Sequence, residues 1–163
     1  MKAKTVCFSG HRMIPENQRS EIYNQLLITV SILIQKGYRY FGAGGALGFD
    51  TMAAQAVLTL KQSFPHIRLI LVLPCQTQAD YWRTHDKEIY ESIKASADKI
   101  VYISKNYTHD CMRKRNQHLV NYSSLCLCYL KKTAGGTAYT VKYAKENNLQ
   151  IINIADCSVH NSR

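Results

Sequence analysis

Seven of the eight glycines in this chain follow a run that reads as a β-strand: Gly10, Gly42, Gly44, Gly45, Gly48, Gly135 and Gly136. No other feature constrains the fold as much, because it gathers the small residues at the carboxyl ends of strands. The strands are short apolar runs: "TVCFSG", "YRYFG", "IRLILVLP", "KIVYIS", "SLCLCYL" and "QIINI". Between them lie stretches with helical periodicity. A helix from about residue 17 to 36 carries Ile22, Leu26, Val30, Leu33 and Ile34 on one face, with Gly37 placed to end it. Met52, Ala53, Ala56, Val57 and Leu60 form the stripe of a second helix, and others are expected near 80–97, 110–122 and 136–147. Strand–helix alternation with short connections predicts an α/β fold: a Rossmann-like, doubly wound, mainly parallel sheet with helices on both faces. In such sheets a ligand crevice opens beyond the carboxyl ends of the strands, where the glycines gather.

The 163 residues suit one domain spanning 1–163, with no repeat, linker or low-complexity tract. No stretch approaches the ~20 apolar residues of a membrane span, and no export signal is evident, so a cytoplasmic location is expected. The six cysteines show no CxxC pair, and Cys7, Cys126 and Cys128 fall inside strands expected to be buried. They are read as reduced small hydrophobes, with no metal site. A net charge of +10 favours anionic partners: nucleotides, nucleic acid or an acidic protein face.

Two glycine loops lead directly into helices, "GAGGALGFD" and "AGGTAYT". Glycine lets an anion approach main-chain N–H groups, and the following helix adds unpaired amides and partial positive charge. The dinucleotide fingerprint G-x-G-x-x-G fails, since from Gly42 and Gly44 its last position falls on Leu47. Neither loop carries the Gly-Lys-Ser/Thr of a Walker loop. No tightly held cofactor is expected; two such loops in one α/β domain point instead to a nucleotide phosphate site.

The motifs "SGHR", "GGALGFDTMAAQAV", "LILVLPCQTQADYW", "RNQHLV" and "GGTAYT", in this order, resemble the YpsA-like family of the SLOG superfamily. The superfamily also holds DNA-processing protein A and the "lonely guy" phosphoribohydrolases. The resemblance implies a Rossmann-like sheet binding nucleotides or nucleotide-derived molecules. It assigns ligand-facing roles to Gly10, His11, Arg12, Gly44, Gly45, Asp50, Arg115, Asn116, Gly135, Gly136 and Thr137. It also implies self-association, which no motif here carries.

The phosphoribohydrolase branch is expected to use an arginine before the penultimate strand and a glutamate shortly after the second Gly-Gly. Arg115 matches the first; at the second the chain reads Tyr139, Thr140, Val141 and Lys142, with Glu146 too far along. N-glycosidic hydrolysis needs a carboxylate, so a binding role is expected ahead of catalysis. Asp50 is the remaining catalytic candidate; its structural alternative is the N-cap of a helix starting at Thr51. His11 serves either a ligand or a structural hydrogen bond. Trp82 and Tyr107 are the candidates for stacking on a base, and either also suits ordinary packing.

The leading expectation is a sensor, regulator or sequestering protein for a ligand related to ADP-ribose or NAD. The alternatives are a nucleotide-processing enzyme (phosphoribohydrolase or NAD-type glycohydrolase) and a single-stranded nucleic-acid or protein-interaction module. The basic segment "KNYTHDCMRKRNQH" gives the last its footing.

Overall fold

The computed structural model describes residues 1–157. Its strands are β1 (Thr5–Gly10), β2 (Tyr40–Ala43), β3 (Arg68–Cys75), β4 (Lys99–Ser104), β5 (Leu125–Tyr129) and β6 (Gln150–Asn153). The helices are α1 (Arg19–Gln35), α2 (Phe49–Lys61), α3 (Thr84–Ser96), α4 (Cys111–Asn121), α5 (Gly136–Glu146) and a final turn, α6 (Ile154–Cys157). All strand pairs are parallel, in the order β4-β3-β2-β1-β5-β6. The chain winds outward from β1 to β4, then returns to the far side of β1 for β5. That reversal places a crevice beyond the carboxyl ends of β1 and β5.

Period-two alternation divides the core into two layers. Val6, Phe8, Leu125 and Leu127 face the α1, α2 and α3 side, with Ile22, Leu26, Val30, Met52 and Val57 packed on them. Cys7, Cys126 and Cys128 face the other side, beneath Leu119, Val120, Val141 and Ala144 of α4 and α5. All three thiols are free and buried, as expected of cysteines used as small apolar residues.

Helix ends follow local chemistry. Gly37 adopts φ +102°, and the Gly37 and Tyr38 amides bond to the Ile34 and Leu33 carbonyls, closing α1 with a Schellman motif. Asn148, at φ 64°, does the same for α5. Two boundaries differ from expectation. The helix expected near residue 80 begins at Thr84, because residues 77–82 fold into consecutive turns closed by Asp80 N–H to Thr77 O and Trp82 N–H to Ala79 O. The helix after the first glycine loop begins at Phe49 rather than Thr51, because the fully buried Phe49 ring is drawn beneath Gly10.

Candidate functional site

The two glycine loops solve different problems. In the second, which joins β5 to α5, a Cβ built on Gly135 or Gly136 would meet nothing within 4 Å. The protein's own packing therefore does not require bareness here. Gly135, the N-cap of α5, sits at φ +105°, a conformation open to glycine. No side chain caps α5, so the amides of its first turn and the positive end of its dipole face outward.

In the first loop the glycines are required by the protein's own atoms. A Cβ on Gly42 would fall 2.9 Å from Leu119 and one on Gly45 2.3 Å from Leu73; outside the loop, at the end of β1, one on Gly10 would fall 2.3 Å from the Phe49 ring. On Gly48, at φ +77°, it would lie 2.2 Å from the Arg12 carbonyl oxygen. Gly44 touches both Arg115 and Asp50. The Ala46 amide donates to Asp50 Oδ2 at 3.4 Å, and the Gly44 amide also favours the charged carboxylate. This loop thus turns its amides onto the protein's own anion, whereas the second leaves its glycines open.

Asp50 is the second residue of α2, not its N-cap; Gly48 holds that position. The Asp50 carboxyl is buried, and burial raises its pKa against the opposing pull of Arg115, the Ala46 amide and Arg12. Arg115 is equally buried, and burial lowers its pKa while Asp50 supports the charge. It remains a cation, since an arginine does not give up its proton in proteins. Arg115 Nε donates to Asn116 Oδ1 at 2.7 Å and Nη1 to the Gly44 carbonyl. These bonds use two of the five guanidinium donors and leave three uncommitted.

Two adjoining hollows open between these elements. The inner one, about 170 Å³, is lined by Phe8, Ser9, Gly10, Arg12, Ala46, Asp50, Met112, Arg115, Asn116, Gly136 and Thr137. The outer one, about 320 Å³, is lined by Gly10, His11, Arg12, Met13, Lys132, Ala134, Gly135, Gly136 and Thr137. They share Gly10, Arg12, Gly136 and Thr137. Three basic side chains, Arg12, Arg115 and Lys132, and one carboxylate, Asp50, line the two hollows; Arg12 and Arg115 act on Asp50, and Lys132 stands on the outer hollow.

His11 does structural work at this rim. Its Nε2 accepts the Lys131 amide at 2.9 Å, its ring meets Tyr129 edge-on at 5.8 Å, and its carbonyl accepts the Phe49 amide. Burial, and then the Lys132 charge, hold its pKa below the ordinary value. Thus the loop after β1 is tied both to α2 and to the loop after β5.

Of the residues singled out in the sequence, Gly10, His11, Arg12, Asp50, Arg115, Asn116, Gly135, Gly136 and Thr137 come together around the hollows. Gly44 and Gly45 stand behind them, against Asp50 and Arg115 and against Leu73 and Gln78. Trp82 and Tyr107 line neither hollow. Trp82 packs edge-on against Tyr90 at 5.1 Å, and Tyr107 is exposed in the turn after β4. Sequence reasoning assigns no ligand role to Phe8, Ser9, Met13, Ala46, Met112, Lys132 or Ala134, all of which line the hollows. Met112 is legible in retrospect as one helical turn before Arg115, and Lys132 as the basic residue three before Gly135.

The sequence model of the YspA SLOG family matches residues 15–156. A UPF0398 protein of Halalkalibacterium halodurans is 32% identical over 157 residues, covering 90% of this chain and 83% of the relative. A UPF0398 protein of Shouchella clausii is 32% identical over 116 residues, covering 69% and 62%. Among solved structures, DNA processing protein A of Helicobacter pylori, described for its mode of binding single-stranded DNA, superposes with a TM-score of 0.64 at 17% identity. Its counterpart from Streptococcus pneumoniae gives 0.66 at 15%. The fold covers 92% of this chain in both, but 64% and 50% of those longer chains, and the likeness is one of fold. Among the described residues no helix is long and apolar enough to cross a membrane.

Proposed function

The chain belongs to the YspA SLOG family, and from that premise we propose that it binds a nucleotide-derived ligand, of the ADP-ribose or NAD-related class, across the two hollows. The observation that carries this reading is the open pair Gly135–Gly136 at the uncapped start of α5, flanked by Arg12 and Lys132. A phosphate there would receive backbone amides, the Thr137 hydroxyl and two cations, the usual means of holding an anion at a helix start. A ribose in the inner hollow would meet Asp50 as acceptor and Arg115 and Asn116 as donors. The shared wall of Gly10, Arg12, Gly136 and Thr137 lets one molecule occupy both spaces.

The role that fits this site is sensing or sequestering the ligand. In the first turn of α5, where a hydrolase of the "lonely guy" kind would be expected to carry its glutamate, Thr140 spends its hydroxyl on the Gly136 carbonyl at 2.9 Å. One observation favours a second reading, a nucleotide-processing enzyme. Asp50 is a buried carboxyl lining the inner hollow, and burial moves its pKa toward the range a general acid or base needs.

Titration calorimetry with ADP-ribose, NAD and nucleoside monophosphates tests the binding reading. At least one should bind with a Kd well below about 1 mM, and Arg12→Ala should weaken it. Absence of any binding would overturn the proposal. Chromatography of the same mixtures tests the second reading, which requires a product that Asp50→Asn abolishes.

A further inference from the structure

The two faces of the sheet are covered unequally. Helices α1 to α3 and the short α6 lie on one side, whereas α4 and α5 serve the other. The edge strand β4 is left half-buried along most of its length. Beneath the end of α4, near the amino ends of β1 and β4, this leaves a cavity of about 310 Å³. It opens on the α4 side of the sheet, with Gly42 of β2 on its wall and none of the other loop glycines. Ile70, Val72, Val101 and Leu119 form its apolar floor.

The rim decides what such a floor would accept. Lys2, Lys99 and His118 stand on it, and no Asp or Glu does. The neighbouring hydroxyls are already satisfied: Thr5 Oγ1 donates to the Met1 carbonyl and Ser123 Oγ to the Leu119 carbonyl, each at 2.7 Å. Lys2 and Lys99, in contrast, enter none of the ion pairs found among the described residues. His118 packs against the Tyr122 ring at 4.5 Å and is kept toward its neutral form by burial and then by the Lys99 charge, so it offers a hydrogen bond rather than a competing cation.

We propose that this cavity is a second binding site, for a small amphipathic anion whose apolar body covers Ile70, Val101 and Leu119 and whose charged end meets Lys2 and Lys99. Its volume is at the small end of ligand cavities, roughly 300–1,000 Å³, which suits one short chain or ring rather than a dinucleotide. Charge complementarity selects the anion: an apolar floor alone would take any greasy molecule, but two unpaired lysines reward a carboxylate, sulfonate or phosphate monoester.

The test is an amide NMR titration of the full chain with decanoate, with decylamine and decanol as controls. Decanoate should shift the amides of Ile70, Val101 and Leu119 and bind about tenfold more tightly than either control. Lys99→Glu, at an exposed strand start, should weaken decanoate about tenfold while leaving decanol unchanged. Val101→Trp, on half-buried β4, should block all three ligands, with folding confirmed by circular dichroism. Equal binding of decylamine and decanoate, shifts scattered over the surface, or an unchanged affinity in both variants would overturn the proposal. So would sedimentation showing this face covered by a second copy of the chain.

Discussion

Arg115 and Asp50 both press on Gly44: a Cβ on that glycine would lie 2.7 Å from Arg115 Nη1 and 2.8 Å from Asp50 Oδ2. Each charge is buried at a cost, and each is the principal electrostatic support of the other. Removing one partner should therefore destabilise far more than removing both. Arg115→Met is expected to cost about 3–5 kcal/mol, and the double variant Asp50→Asn/Arg115→Met to recover part of that loss. Urea unfolding of the four proteins in the cycle measures the coupling.

The glycines should separate into two classes. Gly10→Ala must displace the Phe49 ring and should cost about 1–3 kcal/mol in stability. Gly136→Ala meets open space, and stability should stay within about 0.5 kcal/mol of the parent protein. The added methyl at the helix start should nonetheless weaken nucleotide binding. Thermal unfolding and calorimetry on both variants check the contrast.

His11 should make stability depend on pH. Its folded-state pKa is lowered, so between that value and the ordinary 6.5 the unfolded chain binds more protons. The stabilisation is fully present above about pH 6.5 and is lost as pH falls through the folded value. Protonation also removes the acceptor of the Lys131 amide, a bond contributing about 0.5–1.5 kcal/mol. His11→Gln keeps an acceptor that does not titrate, so its unfolding free energy should vary less between pH 7.5 and 5.5.

Asp98 should act in the acid range. Burial pushes its pKa up but is outweighed by the Lys61 ammonium and by the Leu69 amide, which donates at 2.8 Å. The folded-state pKa is lowered, so this contribution is present above the ordinary value of 3.8 and is lost as pH falls through the folded one. Asp98→Ala should cost about 1 kcal/mol at pH 7, and the difference from the parent should shrink as acid titration proceeds.

Most of the fold is legible in the residues. The run "IRLILVLP" contains the buried core of β3, and Ile22, Leu26, Val30, Leu33 and Ile34 are the buried stripe of α1. These positions follow local period and apolarity, which survive any packing arrangement. Most residues that gather around the two hollows are also legible in the sequence, whereas their geometry is less so. Phe49 shows why: nothing nearby in sequence states that its ring lies under Gly10, or that α2 starts with it and carries Asp50 buried in its first turn.

Glycine-rich bends after strands, apolar periodicity and an excess of positive charge are properties of the chain read in one dimension. They suffice for a parallel α/β sheet with small residues gathered beyond the carboxyl ends of its strands. Which bend stays open could be settled only in three dimensions. A missing side chain makes room equally for a ligand or for the protein's own atoms, and the distinction rests on what lies opposite. At Gly44 that is Arg115, 71 residues away along the chain, and Asp50; at Gly136 it is open space.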